Sequence, residues 1–249
     1  MRSAPSSIPS SDVHRVRHAI ILAGGLGTRL RAAVAGVPKP MAPVNDRPFL
    51  EYQIDYWIEQ GIDHFILSVG YLHGAITRHF GSRYRDASIE YAIEAKPMGT
   101  GGGVLRAAAL LCSEAPLLVL NGDTYFEVDL PSLSAFHRAR DSDWTLALFR
   151  CDAAGRYMGL SIAEDGRVRS FQNEFAAVGA MANGGVYLIE PRCLRLAGAR
   201  PGEAAVSLEK ELLPSALRSG AALYGMAFPG CFIDIGVPAD YRRAASMLG

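Results

Sequence analysis

The chain has 249 residues, 49% apolar and 20% charged, with 25 Lys plus Arg set against 25 Asp plus Glu. That length suits one large α/β domain or two small ones, with a substantial core, and the apolar share is too high for a disordered chain. A zero charge balance argues against a broad nucleic-acid or membrane face and leaves room for a local basic pocket.

No apolar run approaches the roughly 20 residues that a membrane helix needs. Residues 1–17, MRSAPSSIPSSDVHRVR, are rich in Ser and Pro and lack the hydrophobic stretch of a secretory signal, so a disordered tail is expected there. Cys112, Cys151, Cys193 and Cys231 stand about 40 residues apart, with no metal-ligand spacing, and read as thiols of a cytoplasmic protein.

After the tail the pattern alternates. HAIILAGG (18–25) is a buried strand that runs into a glycine turn. FLEYQIDYWIEQ (49–60) carries helical spacing and is stopped by Gly61. Next come a strand HFILSVG (64–70), a helix LHGAITRHF (72–80) and a strand IEYAIEA (89–95). A helix opened by glycines covers 101–111, PLLVLNGD (116–123) is a strand with polar residues at its end, and Pro131 opens the next helix. Strand followed by helix, repeated, implies a mainly parallel sheet with helices on both faces.

The rhythm changes near residue 144. WTLALFR, GLSIAED, GRVRSFQ and NGGVYLI are shorter strands, SLEKELLPSALRS is a helix, and FIDIGVPADYRRAASML returns to strand and helix. We expect one continuous domain over 18–249, with a nucleotide-binding half at about 18–143 and a more mixed half at 144–249.

The stretch AGGLGTRLRAAVAGVPKP (23–40) is the first candidate site. Glycines let backbone N–H groups approach an anion, and Arg29 adds a planar fork suited to phosphate oxygens. Lys39 lies between Pro38 and Pro40, which restrict the backbone and present its ammonium group with little entropy to lose. The spacing fits neither GxGxxG, since Leu30 stands where the third glycine belongs, nor the P-loop, since Thr28-Arg29 follows Gly27. A plain structural turn is the alternative.

The motifs GGLGTRL with PKP, PKPMAPVNDRPFLEY, EAKPMGTGGG, LVLNGDTYFEVDL, NGGVYLI, SLEKELLP and FIDIGVPADY occur in that order. This combination, covering residues 18 to about 245, resembles the sugar-1-phosphate nucleotidyltransferases. The resemblance implies a Rossmann-like α/β fold whose second half binds the sugar. It implies an enzyme that joins a nucleoside triphosphate to a sugar 1-phosphate and releases pyrophosphate, with Mg²⁺ as cofactor.

In that reading Arg29, Lys39 and Asp123 are catalytic. Ala23, Gly24, Gly25, Gly27, Thr28, Glu94, Gly99, Thr100 and Asn121 bind the nucleotide. Asp123 ends a buried strand, where ligands of open α/β sheets gather, and Mg²⁺ takes one or two carboxylates plus substrate phosphates. Asp234 in FIDIG is implied as the second metal ligand, although an Asp before a glycine also forms turns. Asp129 reads as a helix cap.

A carboxylate at Glu94 suits guanine, which presents N1–H and N2–H₂ side by side, so GTP is the expected triphosphate. A solvated strand-end Glu is the alternative. The resemblance places Gly159, Asn183, Gly184 and Glu209 near the sugar. Many relatives carry a Glu-Lys pair before the NGG motif, whose lysine meets the sugar phosphate. Here the stretch reads Phe171-Gln172-Asn173-Glu174, and Lys210 is the candidate substitute, ahead of Arg156 and Arg169.

A non-catalytic nucleotide-binding regulator would need the fold without both acids and both cations, and the missing third glycine argues against an NAD-dependent oxidoreductase. No nucleic-acid or membrane partner is expected, and a homo-oligomer is compatible with the sequence.

Overall fold

The computed structural model describes residues 15–25, 36–152, 156–196 and 205–249, with the backbone alone at 173, 174 and 196. Gly27, Thr28 and Arg29 lie outside the described residues, as does most of the expected tail.

The strand β1 (His18–Leu22) is an unalternating apolar run, HAIIL, with Ala19, Ile20 and Ile21 fully buried. A strand covered on both faces belongs in the middle of a sheet, and β1 sits there. After a 3₁₀ turn at Lys39–Met41 come β2 (Pro43–Val44), β3 (Arg47–Pro48), α1 (Phe49–Glu59), β4 (His64–Val69), α2 (His73–Phe80), β5 (Arg83–Tyr84) and β6 (Ala87–Ile93). Then follow α3 (Gly99–Ala108), β7 (Leu117–Asn121), β8 (Thr124–Phe126) and α4 (Leu130–Ala139). The second half contributes β9 (Trp144–Arg150), β10 (Met158–Ile162), β11 (Val168–Phe175), β12 (Met181–Ile189) and α5 (Pro191–Leu196). A π-helical turn at Leu208–Leu212 leads into α6 (Leu213–Arg218), followed by β13 (Leu223–Ala227), β14 (Phe232–Asp234) and α7 (Pro238–Met247).

The main sheet runs β11-β10-β12-β7-β1-β4-β6-β5, with β9 beside β12 and β13 beside β9. Pairing is parallel through β7, β1, β4 and β6. It turns antiparallel where β12 meets β7, β9 and β10. The fold is α/β, and strands from both halves share this one sheet. Alternation along β1 divides the core: Ala19 and Ile21 pack with Trp57 and Ile76 of α1 and α2, while Ile20 packs with Val104 of α3 and Leu213 of α6.

Two small features position the site. β14 pairs antiparallel with β8, setting Asp234 opposite Thr124. A third apolar cluster joins Ala42, Val44 and Phe49 to Ile233, Ile235 and Ala244, drawing the Lys39 turn against the segment that carries Asp234.

The structure departs from the sequence reading in places. The last residues of the expected tail join the fold: Val16 is 5% exposed within the core, and the Arg17 carbonyl accepts from the amides of Asp63 and His64. The helix expected over SLEKELLPSALRS is two pieces. Pro214 has no N–H for the ladder, and the turn before it is wider, with the Leu212 amide bonding the Ser207 carbonyl. The pieces β2, β3, β5 and β8 are too short for a periodic signal, and β13 and α5 were also unread. Asp129 caps α4, its carboxylate accepting from the Ser132 amide at 2.8 Å. Among the described residues no helix is long and apolar enough to cross a membrane.

Candidate active site

A cavity of about 300 Å³ opens at the carboxyl ends of β1, β4, β6 and β7. Its walls include Ala23, Gly24, Gly25, Lys39, Glu94, Gly99, Thr100, Asn121 and Asp123, so the described members of the expected nucleotide set share one cavity. β1 is wedged between its neighbours there: the Ala23 amide bonds the Ser68 carbonyl at 2.8 Å, and the Gly122 amide bonds the Leu22 carbonyl at 3.0 Å.

Lys39 enters from the side. Pro38 precedes the 3₁₀ turn, Pro40 is buried within it, and the Ala42 amide closes it on the Lys39 carbonyl. The ammonium group pairs with Asp123 Oδ2 and lies 3.8 Å from Asp234 Oδ1. The Asp234 oxygen also accepts from the Gly236 amide at 2.7 Å. Space at Gly236 is tight, since a Cβ there would press on Lys39 Nζ and Asp234 Oδ1. The Ile235 amide bonds the Asp123 carbonyl at 3.0 Å, so the β8–β14 pairing brings together two acids that are far apart in sequence.

The side chain of Lys39 is 10% exposed, against 38% for Asp123 and 17% for Asp234, so the cation is enclosed while Asp123 keeps an open side. Two carboxylates facing one cation are the chemistry of a Mg²⁺ seat completed by substrate phosphates. Hard oxygen donors of this kind fit the cofactor that the sequence implies.

The turn carrying Asp123 is braced by a residue the sequence reading missed. Gln53 of α1 is 3% exposed, and its Nε2 donates to the carbonyls of Asn121 and Thr124, both at 2.8 Å. An amide on an otherwise apolar helix face was the available signal.

Glu94 stands just past β6 on the cavity wall. Its Oε1 accepts from Ser68 Oγ at 2.9 Å and its Oε2 from the Met98 amide at 3.0 Å. It is therefore a held group rather than a loosely solvated one. A carboxylate offers about four acceptor positions, so acceptor capacity remains for a ligand. Ser68, the lone hydroxyl of an apolar strand, is a second residue that the sequence reading did not single out.

The loop after Glu94 is latched to the far segment. The Val206 amide bonds the Met98 carbonyl at 2.8 Å, and the Gly101 amide bonds the Val206 carbonyl at 2.8 Å. Gly99 has φ +73°, and a Cβ on it would meet the Val206 carbonyl oxygen at 2.4 Å, so both conformation and space require glycine. The Thr100 hydroxyl donates to Glu209 Oε2 at 2.9 Å and accepts from the Leu208 amide at 2.8 Å. Thr100, expected on the nucleotide side, thus faces an expected sugar residue.

The other sugar candidates cluster around a break in β12. Asn183 pairs with Leu148 of β9, yet Tyr187 pairs with Leu146, a bulge that falls on Asn-Gly-Gly. Asn183 Oδ1 accepts from the Gly185 amide at 3.0 Å and its Nδ2 donates to the Tyr187 hydroxyl at 2.8 Å. Gly184 is buried under Phe126, and Gly159 of β10 pairs with Ala182.

The structure does not join Lys210 to this cluster: its side chain is exposed, and its amide caps onto Ser207 Oγ. Arg169 is exposed on β11. Arg156 is held by buried Asp240, which raises its already high pKa further, and it lies over the Tyr157 ring at 5.1 Å. All four cysteines are free, and burial pushes the Cys193 thiol up to about 12.

The model of the nucleotidyl transferase family matches residues 18–248. The chain is similar to D-glycero-alpha-D-manno-heptose 1-phosphate guanylyltransferase of Aneurinibacillus thermoaerophilus, at 42% identity over 92% of this chain and 97% of the relative. The Campylobacter jejuni enzyme of the same name is 37% identical over 90% and 96%. HddC from Yersinia pseudotuberculosis superposes with a TM-score of 0.80 at 30% identity, covering 94% of this chain and 100% of that one. A second HddC structure, complexed with GMP-PN, gives the same TM-score.

Proposed function

Because the chain belongs to the nucleotidyl transferase family, we propose that it transfers a guanylyl group from GTP to D-glycero-α-D-manno-heptose 1-phosphate, giving GDP-heptose and pyrophosphate. The observation that carries the catalytic part is the convergence of Lys39, Asp123 and Asp234 at the mouth of the glycine-lined cavity. The heptose part is supported by the names and the high coverage of the two heptose 1-phosphate guanylyltransferases.

A sugar-phosphate oxygen attacks the α-phosphorus of GTP, a new P–O bond forms, and the bond to the β-phosphate oxygen breaks as pyrophosphate leaves. The attacking phosphate is already ionised near neutral pH, so no general base is required. The protein's work is in-line positioning and charge neutralisation.

Gly24 and Gly25 leave room for the triphosphate against backbone N–H groups. Lys39 neutralises phosphate charge, and Arg29 stabilises the departing pyrophosphate. Asp123 and Asp234 would hold Mg²⁺, which supplies Lewis-acid stabilisation of the phosphate oxygens when bound. Glu94 would accept from guanine with the capacity left by Ser68 and Met98. Asn183, Glu209 and the backbone at Gly159 and Gly184 would form the sugar end. Use of GTP places the reaction in the cytoplasm, and the GDP-linked heptose is an activated donor for surface polysaccharide.

The test is pyrophosphate release, crossing four nucleoside triphosphates with several sugar 1-phosphates. GTP with the heptose 1-phosphate is expected to give the highest specificity constant. Preference for UTP, or no turnover with any pair, would overturn the proposal.

A further inference from the structure

Tyr187 is completely buried, yet its hydroxyl lies among polar side chains from three different motifs. Asn183 Nδ2 donates to it at 2.8 Å, and the orientation of that amide is set because Asn183 Oδ1 is taken by the Gly185 amide. With the Asn183 donor on that side, the single hydroxyl proton goes to Glu209 Oε1, at 3.3 Å.

Burial, and then the charge of Glu209, push the Tyr187 hydroxyl well above its ordinary pKa, so it remains a proton donor throughout the working range. The other Glu209 oxygen accepts from Thr100 Oγ1 at 2.9 Å and from Ser207 Oγ at 3.3 Å. The chain of bonds therefore runs from the bulge of β12, through the buried hydroxyl and Glu209, to the glycine-rich start of α3.

We propose that Tyr187 is a positioning residue for sugar 1-phosphate binding, its hydroxyl orienting Asn183 and Glu209 together. The proposal rests on the functional reading above and names a residue which that reading does not use. Tyr187 has no exposed surface and does not itself touch substrate. It acts through the two half-buried groups at the sugar end. A phenylalanine would keep the ring in the core but leave the Asn183 amide donor without its acceptor and Glu209 without one donor. The nucleotide side would be affected less, since Lys39, Asp123 and the Glu94–Ser68–Met98 bonds lie outside this chain of contacts.

The experiment is a steady-state comparison of the wild type, Tyr187→Phe, Glu209→Gln and the double variant, with each substrate varied in turn. Tyr187→Phe is expected to raise KM for the sugar 1-phosphate about tenfold, the size of a lost hydrogen bond to a charged group, with KM for GTP within about twofold. Because Tyr187 acts through Glu209, the double variant is expected to lose less than the product of the two single effects.

A lower melting temperature with unchanged kinetic constants, equal rises in both KM values, or independent multiplying losses would overturn the proposal. Should Tyr187→Phe not fold, Glu209→Gln decides: an unchanged KM for the sugar 1-phosphate removes the group through which Tyr187 acts. A wild type that is active but shows no selective effect in the variants sinks this inference alone. A wild type that releases no pyrophosphate sinks the functional reading, and this inference with it.

Discussion

The two ends of the cleft, proposed for the nucleotide and for the sugar, are built in different ways. The end proposed for the nucleotide sits where parallel strands finish, and its parts are short local motifs: glycines after β1, a lysine in a proline-framed turn, an aspartate after β7. The sugar end lies where the sheet turns antiparallel, and its parts are side chains linked across distant segments, Thr100 to Glu209 to Tyr187 to Asn183. One end depends on charge placed by backbone geometry, the other on a directed hydrogen-bond network. Damage should therefore read out differently at the two ends, in turnover at the first and in sugar affinity at the second.

The largest effect is expected at the acids. Asp123→Asn should lower turnover by roughly 1,000-fold or more, since metal-based charge stabilisation is worth several kcal/mol. Removing divalent metal with a chelator should abolish the wild-type activity, and added Mg²⁺ should restore it. Full activity of the variant at low Mg²⁺ would contradict the assignment.

Lys39→Ala and Arg29→Ala should each cost about 100-fold in turnover through lost charge stabilisation. Weaker GTP affinity with normal turnover would mean that these groups bind the triphosphate uniformly. Lys39 adds a sharper test. Its ammonium group sits between the two acids where a divalent cation is expected, so Lys39→Ala should bind Mn²⁺ more tightly than the wild type in the absence of nucleotide. Titration followed by electron paramagnetic resonance checks this, and equal or weaker binding would contradict it.

Glu94→Gln comes next. The amide keeps one acceptor oxygen where the carboxylate had two, so the Met98 N–H and the guanine edge compete for it, while its NH₂ can be met only by the Ser68 hydroxyl. A loss of roughly 1–3 kcal/mol in GTP preference is expected, by analogy with bidentate base readout. Comparison of kcat/KM for GTP and the other triphosphates measures it, and an unchanged ratio would remove Glu94 from base recognition.

The last effect is on stability rather than on activity. Gln53→Leu deletes the two bonds that brace the Asn121–Thr124 turn and should lower stability by about 1–3 kcal/mol, read from denaturant unfolding. A neutral result would mean that the turn holds itself.

The same contrast explains what could be read in the sequence. Apolar runs such as HAIIL and WTLALFR, and the helical spacing of FLEYQIDYWIE, announce the sheet and α1 because burial imposes periodicity. Lys39 and Asp123 could be picked out because their placement depends on local punctuation, prolines in one case and a strand end in the other.

Asp234 could be named only through resemblance. What brings it to Lys39 is the three-residue pairing of β14 with β8, too short to leave a pattern. Tyr187, Ser68 and Gln53 were passed over because each looks like a core residue of its own element, and its polar partner lies far along the chain. The π-helical turn at Leu208–Leu212 escaped for a related reason. Its i→i+5 bonding runs up to Pro214, which has no N–H for the ladder and does not change the apolar spacing of SLEKELLPSALRS.

The most direct test of the account is substrate competition at fixed GTP, with D-glycero-α-D-manno-heptose 1-phosphate set against mannose 1-phosphate. The heptose carries one further hydroxymethyl carbon at its exocyclic end, and a pocket that meets this group gains a contact that mannose cannot make. The account predicts a higher kcat/KM for the heptose 1-phosphate, with weak side activity on mannose 1-phosphate. A higher specificity constant for mannose 1-phosphate would contradict it and make the enzyme a mannose guanylyltransferase.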